Sequence, residues 1–138
     1  MVVYWDTSAL VAILGRAPQA SHYRGIARQY GVVTWWGTYV ECVSAIARRA
    51  REGNAPTQVA EAYRMLDEMA NEWREVGPSE RLRRAAARVL KLHILSAADA
   101  LQLGAALIAG GFEPPAVRFL TEDRQLQRAA EREGFVVD

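Results

Sequence analysis

The sequence is poor in cysteine, in lysine and in long apolar runs, and each shortage excludes a class of protein. Cys42 is the only cysteine, so a disulfide within the chain cannot form. No stretch approaches the roughly twenty apolar residues that cross a bilayer, and the first residues lack the features of a secretory signal. The net charge of +1 is too small to indicate a dedicated nucleic-acid binder. We therefore expect a soluble, cytoplasmic protein.

The chain does contain short apolar segments that alternate with longer helical ones. Its 138 residues predict a single domain, 1–138, around one core. Strands are predicted at 2–5, 31–36, 117–121 and 135–137, with a very short one within 74–78. The predicted helices cover 9–14, 19–30, 38–51, 57–73 and 79–93, then a segment that carries Asp99 and ends at 109, and finally 123–133. This order predicts an α/β fold with a mostly parallel sheet and helices on both faces.

Four acidic residues fall where the carboxyl ends of such a sheet would lie. Asp6 follows the first strand and Asp123 follows the strand 117–121, while Glu41 and Asp99 lie near helix starts. Open parallel sheets form their sites in the crevice beyond the carboxyl ends of the strands. We therefore expect these carboxylates, from four distant parts of the chain, to meet at one edge.

Each acid taken alone also has a purely structural interpretation. Asp99 follows Ser96 and Glu41 follows Thr38 at the spacing of a capping box, in which a hydroxyl and an acid satisfy a helix N-terminus together. Asp6 and Asp123 have the simpler roles of a helix cap or a charge near a helix dipole. Any one of these acids therefore carries no functional weight by itself.

Taken together, the acids favour a metal site. The segments 2–5 and 97–107 around them are so apolar that the carboxylates should lie close to the core. Converging carboxylates repel one another unless a cation lies among them, and Lys91, His22 and His93 all lie outside these segments. A divalent cation is the natural remedy, and a ligand set of oxygens alone suits Mg²⁺ or Mn²⁺ rather than Zn²⁺.

Four segments of the chain resemble the PIN-domain family, and most closely the VapC-type ribonuclease toxins of VapBC toxin–antitoxin pairs. They are YWDTSAL at 4–10, the isolated Glu41 at a helix start, LSAADALQL at 95–103 and FLTEDRQL at 119–126. The likeness extends over essentially the whole chain in order and spacing, and its most specific parts are LSAADALQL and DTSAL. It implies a Mg²⁺- or Mn²⁺-dependent endoribonuclease on a five-stranded parallel sheet of order 3-2-1-4-5.

The same resemblance implies the roles of individual residues. The metal-binding, catalytic acids would be Asp6, Glu41, Asp99 and Asp123. Glu122 leaves a one-residue ambiguity for the fourth acid, and we choose Asp123 because the family places its acid two residues after the threonine, here Thr121. Thr7 or Ser8 matches the position whose hydroxyl helps to order the metal-bound water.

The resemblance also implies partners. These are an RNA substrate, a VapB-like antitoxin and a second copy of the chain in a homodimer, with no membrane. We expect the antitoxin to lie across a hydrophobic groove and to reach the acids with a basic side chain. The helices predicted around 10–14 and 20–30 are the candidates for that groove.

Two other functions compete with the nuclease. A catalytically idle PIN-like module that binds RNA or a protein would be indicated by a missing acid, and none is missing. A phosphoacceptor or phosphatase domain would carry a late lysine, whereas Lys91 is the last lysine. We interpret Arg48, Arg49 and Arg51 as a solvated helix face, and the tryptophans as core packing rather than base-stacking surfaces.

Overall fold

The computed structural model describes residues 1–138 and contains a four-stranded parallel sheet, seven α-helices and one short 3₁₀ helix at Pro114–Ala116. The strands are β1 (Val2–Trp5), β2 (Val33–Trp35), β3 (Arg74–Val76) and β4 (Val117–Leu120). The helices are α1 (Thr7–Leu14), α2 (Ala20–Tyr30), α3 (Thr38–Arg51), α4 (Pro56–Glu72), α5 (Glu80–Leu92), α6 (Ala97–Ala109) and α7 (Arg124–Glu133). The predicted α/β class with a parallel sheet is thereby confirmed.

The sheet has the order β3-β2-β1-β4, so the expectation of five strands is wrong. The segment 135–137 makes only one parallel bridge, between Val136 and Arg118. The ladder does not extend to the preceding step because its two donors are used elsewhere. The backbone N–H of Gly134 donates to the Glu131 carbonyl at 3.0 Å, and the backbone N–H of Val117 donates to the Pro114 carbonyl.

Strand β1 lies at the centre of the molecule and is buried on both faces. Its side chains alternate, so Tyr4 packs with α5, α6 and α7 while Val3 and Trp5 pack with α1 to α4. The neighbouring β4 is in register, with Tyr4 opposite Phe119 and Trp5 opposite Leu120. The two hydrophobic clusters therefore pack against opposite faces of this strand. Together they fix the position of its carboxyl end.

Helices α5 and α6 pack closely against the sheet and against each other. Gly104 lies at their contact, where an added Cβ would come within 3.0 Å of the Ala86 backbone nitrogen. The bare glycine is therefore required for the close approach of the two helices. No single helix is long and apolar enough to cross a membrane, and α5 and α6 reach that length and composition only as a pair bent by 120°.

Candidate metal centre

A cleft of about 390 Å³ opens at the carboxyl ends of β1 and β4. The structure brings all four predicted acids to this one cleft. Its lining consists of Asp6, Thr7, Ser8, Val11, Glu41, Ser44, Ala45, Arg48, Asp99 and Asp123. Four loops and helix starts thus contribute to a single surface: Asp6 and Asp123 follow β1 and β4, while Glu41 and Asp99 lie near the starts of α3 and α6.

Asp6 is the most buried of the acids, with 4% of its surface exposed. Its Oδ2 atom accepts hydrogen bonds from the Ser8 hydroxyl at 2.6 Å and the Thr121 hydroxyl at 2.8 Å, while Oδ1 accepts none. The same oxygen caps α1 through the Ser8 backbone N–H. Burial raises the pKa of Asp6 by more than these hydrogen bonds lower it. The charge of Glu41 raises it further.

Glu41 lies in the first turn of α3, but it does not form the predicted capping box. The N-cap of that helix is Gly37, and no side chain caps it. Glu41 Oε1 instead accepts a hydrogen bond from the Thr7 hydroxyl at 2.9 Å, which links α3 to α1. Its second oxygen, Oε2, accepts no hydrogen bond. The structural interpretation of this acid is therefore wrong, and the carboxylate is directed by a long-range contact.

Asp99 lies in the first turn of α6, which Ser96 caps by accepting from the Asp99 backbone N–H at 3.1 Å. The carboxylate does not return a hydrogen bond to the Ser96 backbone, so only half of a capping box is present. Burial raises the pKa of Asp99, and the charges of Asp6 and Asp123 raise it further. The carboxylates of three separate segments therefore interact electrostatically across the cleft.

Asp123 and its neighbour Glu122 have different surroundings. Asp123 Oδ1 caps α7 by accepting from the backbone N–H groups of Gln125 and Leu126, while Oδ2 accepts no hydrogen bond. Glu122 does not line the cleft, and its Oε2 accepts from the Tyr23 hydroxyl at 2.6 Å. Burial and this contact raise the pKa of Tyr23. Of the two acids, Asp123 is thus the one at the cleft.

Comparison with known families identifies the domain. The family model described as PIN domain matches residues 3–132, which is nearly the whole chain.

The chain belongs to the PIN-domain family.

PIN domains are typically nucleases and usually use divalent metals. Among solved structures, this PIN domain is similar to the crystal structure of PAE2754 from Pyrobaculum aerophilum. The two share 22% sequence identity over 99% of this chain and 90% of that chain, with a TM-score of 0.73. Such a likeness speaks for the fold alone. No curated protein shows significant similarity to the chain.

The donor groups of this PIN domain fit a hard divalent cation. Each of the four carboxylates keeps at least one oxygen without a hydrogen-bond partner, and no histidine or cysteine lines the cleft. No three acidic, histidine or cysteine side chains are close enough to enclose an ion directly. Mg²⁺ commonly keeps several of its waters and binds through one or two carboxylates, so an open arrangement suits it.

The hydroxyls of Thr7 and Ser8 are both used within the protein. Thr7 donates to Glu41 and Ser8 donates to Asp6, so each hydroxyl orients a carboxylate. Ser8 also accepts the backbone N–H of Glu122 at 2.8 Å, which ties α1 to the loop after β4. In this PIN domain the two hydroxyls therefore stabilise the acids directly, in addition to any contact with water.

Two residues near the acids were not predicted. Arg48 is exposed on α3, lines the cleft and forms no ion pair, although its sequence context indicated only a solvated helix face. Gln102 is completely buried and hydrogen-bonds to groups beneath the cleft. A signal for Gln102 did exist, because it is the only strongly polar residue between Asp99 and the end of an otherwise apolar helix.

The tryptophans lie outside the cleft. Trp5 is fully buried and belongs to the core on the α1 to α4 side, as its place on an apolar strand predicts. Trp35 is partly buried against the other cluster, and Trp36 is 59% exposed. Core packing therefore describes the first two, whereas Trp36 is a surface residue.

Proposed function

We propose that this PIN domain, residues 1–138, is a Mg²⁺- or Mn²⁺-dependent endoribonuclease and the toxin of a toxin–antitoxin pair. One observation supports the nuclease above all: acids from four distant segments line the same cleft at the carboxyl edge of the sheet. Helix capping accounts for single acids, but it gives no reason for all four to converge. Family membership supports the same conclusion.

The acids have the following roles in this proposal. Asp6, Glu41, Asp99 and Asp123 hold the cation through the oxygens that their own hydrogen bonds leave free. A bound Mg²⁺ or Mn²⁺ supplies Lewis acidity, which activates water and offsets the charge of the phosphate. Hydrolysis adds water across the phosphodiester: the water oxygen bonds to phosphorus, and the leaving ribose oxygen gains a proton. Thr7 and Ser8 keep the carboxylates oriented throughout.

Electrostatics make RNA binding dependent on the cation. Four carboxylates face a substrate that is itself polyanionic, and Arg48 is the only basic side chain that lines the cleft. The protein as a whole carries a net charge of only +1, so no general positive field draws RNA in. Neutralisation of the acids by a divalent cation is therefore a condition for binding as well as for chemistry.

The toxin role implies an antitoxin, whose basic side chain would neutralise the same acids and block the cleft. The groove expected on the first two helices needs revision. Leu10, Ile13 and Leu14 of α1 belong to the core, and Tyr30 is the only large hydrophobic side chain of α2 that is exposed. We therefore propose antitoxin contact at the cleft, which Thr7, Ser8 and Val11 of α1 help to line, rather than at a hydrophobic groove on α1 and α2.

The deciding experiment measures cleavage of a fluorescent single-stranded RNA with Mn²⁺, with EDTA, and with the Asp99→Asn variant. We expect cleavage only by the unaltered chain in Mn²⁺. Glu122→Gln is the matched control, because Glu122 is an acid of the same region outside the cleft and its substitution should leave the rate unchanged. Equal cleavage in EDTA or by Asp99→Asn would overturn the proposed chemistry.

Thermal unfolding with and without millimolar Mn²⁺ tests the site without any RNA. A ligand that binds only the folded state raises its stability, by about 2.7 kcal/mol at a concentration of 100 times Kd. We expect a rise for the unaltered chain and none for Asp99→Asn. No rise in either protein would leave Asp6 and Asp123 as helix caps only, and it would favour an idle module that binds RNA or protein.

The homodimer is also part of the proposal. Exposed apolar side chains support it, since Ile94 is 87% exposed, Leu92 is 61% exposed and Trp36 is 59% exposed. Light scattering after size-exclusion chromatography should give about twice the chain mass of 15.3 kDa. A mass of one chain at micromolar concentration would contradict the dimer and leave the nuclease proposal untouched.

A further inference from the structure

Gln102 lies in the second turn of α6, beneath the acidic cleft, and has no exposed surface. A buried primary amide must find hydrogen-bond partners for its oxygen and its nitrogen, because each unsatisfied group costs about 1–3 kcal/mol. Gln102 meets this demand with side chains alone. Its partners come from β1, α1 and α3, so one amide joins three elements to its own helix.

The orientation of the amide is settled by its partners. The Tyr4 hydroxyl donates to Gln102 Oε1 at 2.7 Å. On the other side, Gln102 Nε2 lies 2.9 Å from the Thr7 hydroxyl, 3.0 Å from the Thr38 hydroxyl and 3.4 Å from Glu41 Oε1. An ionised carboxylate only accepts hydrogen bonds, so the nitrogen must face Glu41.

This orientation sets the direction of the next hydrogen bond. Because Thr7 Oγ1 accepts from Gln102, its own proton is directed to Glu41 Oε1, at 2.9 Å. Glu41 Oε1 is therefore approached by donors from Thr7 and Gln102 together. The other oxygen, Oε2, accepts nothing. A chain of donors thus runs from Tyr4 through Gln102 and Thr7 to one oxygen of a cleft carboxylate.

We propose that Gln102 is a positioning residue of the metal centre, which holds Glu41 and Thr7 so that one Glu41 oxygen remains available to the cation. This inference rests on the proposed metal-dependent function and goes beyond it, because Gln102 itself does not line the cleft. Partners that orient a metal ligand in this way typically account for 10- to 100-fold in metal affinity. We expect loss of the Gln102 amide to change the metal affinity of this site by the same factor.

The test compares the Mn²⁺ affinity of the unaltered chain with that of Gln102→Met by calorimetric titration. Methionine keeps the length and shape of glutamine but provides no donor to Thr7 or Glu41. We expect Mn²⁺ to bind roughly 10- to 100-fold more weakly to the variant. Equal affinity in the two proteins would overturn the positioning role. Failure of the unaltered chain itself to bind Mn²⁺ would instead overturn the proposed function, and this inference with it.

Thr34→Val is the matched control for a purely structural effect. Thr34 belongs to the same buried polar network, because its hydroxyl contacts Thr38 at 2.7 Å and the Trp5 carbonyl at 2.8 Å. It contacts neither Gln102 nor Glu41. We expect Thr34→Val to lower the unfolding temperature yet to keep the Mn²⁺ affinity. An equal loss of Mn²⁺ affinity in Thr34→Val would mean that any change in the buried polar network weakens Mn²⁺ binding. That result would contradict a specific role for Gln102.

Tyr4→Phe provides a second variant if Gln102→Met does not fold. It leaves the amide and every cleft side chain in place and removes only the donor that orients the amide. We expect a measurable but smaller fall in Mn²⁺ affinity than for Gln102→Met. An affinity equal to that of the unaltered chain would show that the amide needs no orientation and would also overturn the proposal.

Discussion

Two of the cleft acids, Asp6 and Asp123, use one carboxylate oxygen to cap a helix and leave the other oxygen without a hydrogen bond. Asp123 caps α7 with Oδ1 and keeps Oδ2 free, and Asp6 caps α1 with Oδ2 and keeps Oδ1 free. Capping and metal binding are therefore compatible within one residue. A helix cap at such a position is no argument against a ligand, since the cap orients the carboxylate that the ion would use.

The first prediction concerns Asp99 in the absence of metal. Its raised pKa means that the folded state holds the proton more tightly than the unfolded state, whose value is 3.8. Stability therefore falls as the pH rises from 3.8 through the raised pKa and stays level above it. In EDTA, Asp99→Asn should be more stable than the unaltered chain at pH 7, by less than about 1 kcal/mol because Asp99 keeps contact with solvent.

Urea unfolding at several pH values checks this prediction. The stability difference between Asp99→Asn and the unaltered chain should grow from near zero at acid pH to a plateau near neutrality. A variant that is less stable at every pH would contradict the repulsion and indicate that Asp99 serves only as a negative charge at a helix N-terminus.

The second prediction concerns Arg48, which lines the cleft and has no ion-pair partner. A contact between its guanidinium and an RNA phosphate would release a counterion, worth a slope of about −0.7 in log affinity against log salt for a single strand. Arg48→Ala should therefore raise the KM for RNA several-fold, flatten the salt dependence and leave kcat unchanged. Arg51→Ala, on the same helix outside the cleft, is the control. Equal effects of the two substitutions would indicate a general effect of positive charge and would contradict a specific contact between Arg48 and RNA.

The positions of Asp6 and Asp123 could be predicted because they follow strands of a parallel sheet, and Glu41 and Asp99 because they lie near helix starts. Gln102 stands out as a polar residue in an apolar helix, but its partners could not be predicted, since hydrogen bonds between residues as far apart as Tyr4 and Gln102 depend on the packing of complete elements. Arg48 is exposed, as its interpretation as part of a solvated helix face predicts, but its place at the cleft could not be predicted. The spacing of residues on a helix defines its faces but does not say that one face borders a site.

At the scale of elements, two helical glycines make opposite predictions. In α2, no atom lies within 4 Å of a Cβ added at Gly25, whereas in α6 the Cβ of Gly104 would meet the Ala86 backbone. Gly25→Ala should stabilise the protein by about 0.5–1 kcal/mol, because alanine favours a helix. Gly104→Ala should destabilise it by about 1–3 kcal/mol, because two helix backbones must separate. Thermal unfolding of both variants checks this, and stabilisation by both would contradict close packing of α5 and α6.

The ends of α5 and α7 are joined by a partly buried ionic cluster. Glu133 accepts a hydrogen bond from His93 at 2.7 Å and also pairs with Arg88. Although burial raises the pKa of Glu133, the His93 and Arg88 contacts outweigh it and lower the pKa below its ordinary value of 4.5. The stabilisation is therefore present above pH 4.5 and is lost as the pH falls through the lowered pKa.

Glu133→Gln should thus lower the free energy of unfolding at neutral pH by about 1–3 kcal/mol. The loss should shrink toward acid pH, where the unaltered chain loses the same contact. Glu131→Gln is the control, since Glu131 is exposed on the same helix and forms no ion pair. Urea unfolding between pH 3 and 7 gives the comparison, and equal losses from both substitutions would contradict the cluster.

Helices were easier to predict than strands, and the error at 135–137 shows why. The apolar alternation around Phe135 is typical of a strand, but strand formation also needs free backbone donors. At this position the turn that ends α7 takes the N–H of Gly134, the donor that would precede the Val136 bridge in a longer ladder. Competition between neighbouring elements for one N–H group is invisible in a hydrophobicity pattern.

At the scale of the whole molecule, the central strand depends on the last strand. β4 pairs with all four residues of β1 and adds Phe119 and Leu120 to the two hydrophobic clusters. A chain that stops at residue 116 should therefore show no cooperative unfolding transition by circular dichroism, whereas the complete chain should. A cooperative transition in the shortened chain would contradict the dependence of both clusters on β4.

The pairing of β1 with β4 also determines when the acidic cleft can exist during protein synthesis. Asp6 and its partner Thr121 are 115 residues apart, so the ribosome makes one end of the cleft long before the other. At about 5–20 residues per second, that interval is on the order of ten seconds. A nascent chain therefore carries no assembled cleft until the segment around Thr121 has been made and has paired with β1. For the nuclease proposed above, this order of synthesis would keep the chain inactive toward the cell's own RNA during that interval.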